Sequence, residues 1–163
     1  MARPLDNDTP LVHSVAHLGN TQRTHYELIQ EQQEDVPDPV DALEVYNLLK
    51  DIRDPEHPNS LEQLRVVRAE HITVDEATHR VTVQFTPTVP HCSMTTLIGL
   101  CIVVKLQRTL PREFRTKVIV TPGSHEQEEQ VNKQLADKER VCAALESTAL
   151  VKAVDNCLRP FRH

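Results

Sequence analysis

The stretch that decides the fold is residues 80–106, which read RVTVQFTPTVPHCSMTTLIGLCIVVKL. From Arg80 to Thr86, apolar and polar side chains alternate, which predicts a β-strand with one buried face. From about Ser93 to Gln107, apolar residues cover almost the whole helical circumference. A helix with no polar face must be central and covered by other elements.

On the N-terminal side of this stretch, the sequence predicts a hairpin and, before it, a helix. β-Branched residues from 66 to 74 and a turn at 75–78 complete a hairpin with the strand at Arg80. A helix is predicted over 39–52, with Asp38 as its cap and Pro39 at its first position. Its apolar residues recur on one face, and they are Val45, Leu48, Leu49 and Ile52. Pro55 ends this helix and opens a loop over 54–60.

On the C-terminal side, a third strand is predicted over 116–121, because Pro122-Gly123 interrupts the pattern there. Ser124 and Gln127 fit a capping box for one long, charged helix over 125–146. Its inward residues are expected to be Val131, Leu135, Cys142 and Leu145. A last helix is predicted over 149–158, with Leu150, Val154 and Leu158 facing inward.

These elements predict a small α+β domain with the order α-β-β-α-β-α-α and a three-stranded mixed sheet packed by helices. A helix separates the third strand from the hairpin, so one strand pairing should be parallel. The length of 163 residues fits one domain, which we place at 36–163. Residues 1–35 are predicted to be a mobile, acidic, polar tail with two basic and six acidic residues.

Composition excludes several classes of function. Only three glycines are present and they lie far apart, so neither type of glycine-rich phosphate loop fits. With a net charge of -6 and 3% aromatic residues, direct binding of nucleic acid is not expected. The N-terminus shows no apolar signal segment, and no apolar run is long enough to cross a bilayer. We therefore expect a soluble protein with protein partners, in the reducing cytosol or nucleus.

Cys92 is the residue best placed to act as a reactive thiol. It follows the stiff Pro90-His91 segment and precedes the covered helix, where unpaired N–H groups stabilise a thiolate. The alternative is a small buried residue that caps the helix, and from the sequence both interpretations stand equal. The other cysteines, Cys101, Cys142 and Cys157, occupy apolar helical positions typical of a core.

Other residues suit a transient metal site. His91 adjoins the thiol of Cys92, and the 54–60 loop offers Asp54, Glu56 and His57. His125 begins the predicted long helix. The four cysteines and nine histidines form no paired zinc-ligand spacing, so no permanent structural zinc site is expected. Acidic residues beside helix ends act more often as caps than as ligands.

An enzyme remains the alternative function. Cys92 with a histidine base could serve a cysteine-dependent thiol hydrolase or transferase. That chemistry also needs an oxyanion hole, and the sequence has no glycine-rich active-site turn to form one.

Three longer motifs occur in order along the chain. They are Asp54-Pro-Glu56 with Asn59-Ser-Leu-Glu62, then Phe85 to Met94 with Thr96-Leu-Ile-Gly-Leu100, and Asn132 to Val141. Together they resemble the cytosolic iron-sulfur assembly component 2 family, which is related to bacterial SufT-like and PaaD-like α+β proteins. The resemblance covers about residues 36 to 159.

This resemblance implies a non-enzymatic adaptor of a targeting complex in the cytoplasm and the nucleus. Its partners would be a WD40 β-propeller protein, a HEAT-repeat protein of the MMS-nineteen type and apo-proteins that receive [4Fe-4S] clusters, including DNA replication and repair enzymes. The family's functional cysteine falls on Cys92, and its acidic loop falls on Asp54 and Glu56. No cofactor would be tightly bound, but an iron-sulfur cluster or metal ion would be held transiently, with further ligands from a partner or a second copy.

The helix over 125–146 is the expected docking surface for these partners. Its candidate contact residues are Asn132, Lys133, Asp137, Lys138 and Arg140. The alternative is that the charged residues of this helix only form a solvent-exposed face without a partner.

Two questions stay open from the sequence. Residues 42–46 and 52–56, and Cys101 with residues 105–108, resemble the A-type member of the family, whereas residues 121–123 and 131–137 resemble the B-type member. The exposed edges of a small sheet and the proline-rich link before Cys92 also favour a homodimer or a domain-swapped dimer.

Overall fold

The computed structural model describes Val12, residues 39–88 and residues 94–161. These residues form five helices and three strands. In chain order they are α1 (Ala42–Leu49), β1 (Val67–Asp75), β2 (Arg80–Phe85), α2 (Thr95–Thr109), β3 (Arg115–Val120), α3 (Glu128–Ala136), α4 (Lys138–Glu146) and α5 (Thr148–Leu158). The predicted α+β class is confirmed, as is the predicted order apart from one additional helix break.

The three strands form one mixed sheet in the order β1-β2-β3. β1 and β2 make the predicted antiparallel hairpin, in which Asp75 pairs with Arg80. β2 and β3 are parallel, in register from Arg80 opposite Arg115 to Phe85 opposite Val120. The predicted parallel pairing is therefore confirmed, and α2 forms the crossover that it needs.

The core lies between the sheet and α2. On β2 the alternating residues Val81, Val83 and Phe85 are fully buried, as the period of two predicted. On α2 all residues from Leu97 to Val104 are buried, and so is Leu106. α1, α3 and α5 pack around α2, which confirms it as a central, covered helix. Within the described parts of the chain, no helix has the length and apolar character needed to cross a bilayer.

The predicted limits of the first helix were wrong. Asp38 lies outside the described residues, and the cap is Asp41, whose Oδ1 accepts a hydrogen bond from the Glu44 backbone N–H at 2.7 Å. The helix ends at Leu49, because Arg53 pairs with Ser60 in an isolated bridge that needs extended backbone. Val45, Leu49 and Ile52 are buried as predicted, whereas Leu48 is half-buried.

The prediction of a single long helix over 125–146 was also wrong. Its capping box is absent, because the Ser124 hydroxyl donates to the Thr121 carbonyl instead and the first helix begins at Glu128. At Asp137 the backbone is extended (φ -85°, ψ 105°), and its Oδ1 accepts from the N–H groups of Glu139 and Arg140. The break separates α3 from α4 and changes which residues face inward. Consequently Val141 is buried, and Cys142, predicted to be buried, is exposed.

Candidate functional site

The two parallel strands end side by side and define one edge of the sheet, which we call the carboxyl edge. The Thr121 N–H donates to the Phe85 carbonyl at 2.8 Å, and the hydroxyls of Thr86 and Thr121 lie 2.8 Å apart. Both chain segments therefore leave the sheet at the same edge. One leads to His125, and the other leads through residues 89–93 to α2.

Cys92 and His91, the predicted thiol and its neighbour, lie outside the described residues. The structure fixes what flanks them, since Phe85 ends β2 and Met94 is the N-cap residue of α2. Cys92 thus stands two positions before the helix cap in the sequence.

His125 is buried at the carboxyl edge, with 7% of its surface exposed. Its Nδ1 accepts a hydrogen bond from the Gln127 backbone N–H at 3.0 Å, which places the proton of the neutral ring on Nε2. Nε2 is buried and has no hydrogen-bond partner among the residues that the structure describes. His125 therefore holds a buried N–H donor at Nε2. Binding a metal through Nε2 would require the proton to move to Nδ1, which would break the hydrogen bond from Gln127.

Asp54 organises the loop that follows α1. Its Oδ1 accepts hydrogen bonds from the backbone N–H groups of Glu56 at 2.8 Å and His57 at 3.0 Å. The same oxygen lies 3.2 Å from Nδ1 of His57. This turn brings Asp54 and His57 together, as their spacing in the sequence allowed.

The Asp54 carboxylate is buried, with 2% of its side chain exposed. Burial raises its pKa above the ordinary value of an aspartate, while the hydrogen bonds from Glu56 and His57 oppose part of that effect. Its second oxygen, Oδ2, has no hydrogen-bond partner in the described parts of the chain. A buried carboxylate oxygen without a hydrogen-bond donor is energetically costly, which makes Asp54 a candidate functional residue.

Arg53 anchors this loop to the C-terminal helix, a connection that the sequence did not reveal. Its backbone N–H donates to the Cys157 carbonyl at 2.9 Å, and its guanidinium donates to the Pro160 carbonyl at 3.1 Å. The guanidinium carbon also lies 4.3 Å from the centre of the Phe161 ring, a cation–π contact. The Asp54 turn is therefore held against the end of α5.

The sequence also missed a thiol pair. Cys101 on α2 and Cys157 on α5 are both buried, as predicted for core residues, and the nearby Cys157 thiol together with burial raises the pKa of the Cys101 thiol. The two residues are far apart in the sequence, so helical periodicity alone could not pair them. The only available signal was that each lies on an apolar helical face.

The predicted metal ligands do not form one site. Across residues 39–88 and 94–161, no group of three or more His, Cys, Asp and Glu side chains is arranged to hold a metal ion. Asp54 and His57 are in contact, Glu56 is exposed in the same loop, and His125 lies at the carboxyl edge. Their role as transient ligands with Cys92 stays a prediction.

The predicted partner-binding residues divide into two groups. Asn132 and Asp137 serve the fold, since Oδ1 of Asn132 accepts from the Val120 N–H at 2.8 Å and Asp137 caps α4. Lys133, Lys138 and Arg140 are exposed, and Lys133 lines an open cleft of about 560 Å³ at the start of α3. These three side chains remain accessible to a partner.

Comparison with known proteins gives one consistent result. A family model described as "Iron-sulfur cluster assembly protein" matches residues 43–120. A mouse (Mus musculus) protein named "Cytosolic iron-sulfur assembly component 2B" is 56% identical over 128 residues, which is 78% of this chain and 78% of that protein. A Dictyostelium discoideum protein of the same name is 52% identical over 78% of both chains. The "MIP18 family protein galla-2" of Drosophila melanogaster is 52% identical over 78% of this chain and 82% of its own.

Proposed function

The chain belongs to the iron-sulfur cluster assembly protein family, and from that premise we propose that it acts in the cytosolic assembly of iron-sulfur proteins. The observation that carries this proposal is the high identity to the mouse protein across most of both chains. Two relatives are named component 2B, so we assign this chain to the B-type branch.

The proposed role is that of a non-enzymatic adaptor. It would join a WD40 β-propeller protein and a HEAT-repeat protein of the MMS-nineteen type, and the complex would pass [4Fe-4S] clusters to apo-proteins, including DNA replication and repair enzymes. It would work in the cytosol and in the nucleus. Lys133, Lys138 and Arg140 support this role, because their side chains are exposed on α3 and α4, where a partner can contact them.

The cluster is the cargo in this scheme, and Cys92 is its proposed transient ligand. Cys92 stands in the short connection from β2 to α2, just before the N-terminus of the helix, where backbone N–H groups favour a thiolate. The described residues supply no ligand set of three. The remaining ligands would therefore come from a partner or from a second copy of this chain in a dimer.

The first experiment is affinity capture of the wild type and Cys92→Ser from cells. We expect both proteins to capture the propeller and HEAT-repeat partners equally, while client proteins from the Cys92→Ser cells contain less iron. Cys142→Ser is the matched control, because Cys142 is an exposed thiol on a different element. Normal client iron with Cys92→Ser would contradict the ligand role. Loss of partner capture by a folded Cys92→Ser protein would make Cys92 an interface residue instead.

The second experiment tests the contact surface by charge reversal. A triple variant, Lys133→Glu, Lys138→Glu and Arg140→Glu, should lose partner capture while its circular dichroism spectrum stays unchanged. Lys152→Glu, on the exposed face of α5, is the matched control. Unaltered capture by the triple variant would place the docking surface elsewhere.

The competing function is a cysteine-dependent hydrolase or transferase. Purified protein should show no turnover of small thioester or peptide substrates if it is an adaptor. Turnover that disappears with Cys92→Ser would establish the enzyme function instead.

A further inference from the structure

We propose that the outer face of the three-stranded sheet binds an extended acidic segment of a partner protein. This outer basic face is defined by Arg80 on β2 and by Arg115 and Lys117 on β3. It is separate from Cys92 and from the exposed cations of α3 and α4. The segment that fits it carries acidic residues at every second position.

The helices cover one face of the sheet and leave the other open. Val81, Val83 and Phe85 are buried against α2, so the residues between them on β2 point away from that helix. α1 packs on β1 and α3 packs on β3, but each also packs on α2 and therefore lies on the same side of the sheet. Parallel strands are usually covered on both faces, so the open face of β2 and β3 is a surface on which a partner can pack.

The strand register places three cations on this open face. Arg80 lies beside Arg115, and Thr82 lies beside Lys117, because β2 and β3 are parallel and in register. The side chains of Arg80, Arg115 and Lys117 are exposed. Among the residues that the structure describes, none of these three cations forms an ion pair with a carboxylate.

Arg80 and Arg115 repel each other across the parallel pair. Like charges at directly paired strand positions destabilise a sheet. Asp75 lies opposite Arg80 on β1 and offsets part of the charge there, whereas the strand register gives Arg115 no acidic neighbour. A carboxylate between the two arginines would relieve their repulsion, because a guanidinium group can bind a carboxylate through two hydrogen bonds.

The spacing of the cations selects the conformation of the ligand. Arg115 and Lys117 are two positions apart on one strand, so their side chains recur at an interval of about 7 Å. Side chains on one side of an extended peptide recur at the same interval. Acidic residues at every second position can therefore meet Arg115 and Lys117 one for one. Adjacent acidic residues would point to opposite sides of the peptide.

The size of the face favours a short segment over a folded partner. The six residues of β2 and the width of three strands give a face of about 17 Å by about 10 Å. A stable interface needs roughly 800 Å² from each partner, which is several times this area. A second copy of this chain is therefore a poor occupant, whereas a few residues of extended chain fit.

The test is binding of a fluorescently labelled peptide to the full-length protein, measured by anisotropy at low salt. The peptide has glutamate at every second position and threonine between, and the control peptide has the same composition with its glutamates contiguous. We expect the alternating peptide to bind more tightly, and added salt to weaken its binding. Equal binding of the two peptides would contradict the proposed spacing.

Charge reversal tests the position of the site. Arg115→Glu combined with Lys117→Glu should weaken binding of the alternating peptide roughly tenfold. Lys138→Glu combined with Lys152→Glu is the matched control, because it makes the same change of charge at exposed positions of α4 and α5. Circular dichroism checks that each variant is folded. An equal loss of binding in the control variant would overturn the proposal.

Carbodiimide cross-linking locates the peptide on the wild-type protein, so this readout does not depend on the folding of a variant. We expect an amide bond between a peptide glutamate and the Lys117 amine. Cross-links confined to the lysines of the helices would overturn the proposal. So would a link, formed without peptide, from Lys117 to an acidic residue of 1–35 or of a second copy, because this chain would then occupy the face itself.

A labelled single-stranded oligonucleotide completes the comparison. With a net charge of -6, the chain as a whole repels nucleic acid, so we expect weaker binding of the oligonucleotide than of the peptide. Tighter binding that is lost with Arg115→Glu and Lys117→Glu would assign the face to nucleic acid instead. These measurements do not involve client iron or capture of the propeller and HEAT-repeat proteins, so the proposed function can fail without affecting them.

Discussion

Gly99 on α2 lies against the side chain of Leu135 on α3. A Cβ atom at position 99 would lie 3.0 Å from Cδ2 and 3.3 Å from Cγ of Leu135, and closer still to Cδ1. Leu135 is buried, so its side chain has little room to turn away. The missing side chain of Gly99 therefore sets how closely α2 and α3 approach each other.

Gly99→Ala should destabilise the protein despite the better helix propensity of alanine. Overpacking costs about 1–3 kcal/mol, while replacing a helical glycine returns about 1 kcal/mol. We expect a net loss of about 1 kcal/mol in the free energy of unfolding, measured in urea. In a Leu135→Ala background the clash is absent, so Gly99→Ala should there be stabilising. An equal effect in both backgrounds would show that Leu135 does not limit the approach.

The break at Asp137 can be tested by whether one substitution lowers or raises the free energy of unfolding. Asp137→Ala removes the acceptor for the Glu139 and Arg140 N–H groups and should cost about 1 kcal/mol of stability. Asp137→Asn keeps a capping oxygen and should stay close to the wild type. If residues 128–146 formed one continuous helix, Asp137→Ala would stabilise it, because alanine is the better helix former.

Sequence patterns predicted most of the fold, because strand alternation and helical periodicity depend only on residues that are close in the sequence. The alternation at Val81, Val83 and Phe85 identified β2, and the apolar circumference of residues 97–106 identified the central helix. The break at Asp137 depends on tertiary packing instead. α3 packs on β3 and α2, whereas α4 packs on α5, and one continuous helix could not reach both. No proline or glycine between 128 and 146 marks the change of direction.

The same distinction applies to the candidate site. Asp54 and His57 are three residues apart, so a single turn brings them together, and the acidic loop could be recognised from its sequence. The contacts of Arg53 with Pro160 and Phe161 join distant parts of the chain. Such pairs become visible only when the helices are packed.

Asn132 allows a structural role to be separated from partner binding. Its Oδ1 accepts the N–H of Val120, which is itself 1% exposed, so Asn132→Ala would leave that donor unpaired. We expect a loss of about 1–3 kcal/mol in the free energy of unfolding. Asn132→Asp keeps the acceptor and should remain nearly as stable as the wild type. Partner capture by Asn132→Asp then tests the sequence prediction: weakened capture supports a contact at Asn132, and normal capture restricts the residue to the fold.

The buried carboxylate of Asp54 should make stability fall as the pH rises. Burial raises its pKa in the folded protein, so in the window above the ordinary aspartate pKa of about 4 the folded state binds more protons than the unfolded state. Folding is then favoured at the acidic end of the window and loses free energy as the pH increases through the raised pKa. Asp54→Asn keeps an acceptor for the N–H groups of Glu56 and His57 but cannot ionise.

The stability of the wild type relative to Asp54→Asn should therefore decrease as the pH rises from about 4 and become constant once Asp54 is ionised in both states. Urea unfolding at a series of pH values measures this difference. His57 touches the same carboxylate, so the comparison is repeated in a His57→Gln background to remove the imidazole from the titration. If the difference increased with pH in that background, hydrogen bonds to Oδ1 rather than burial would control the ionisation of Asp54.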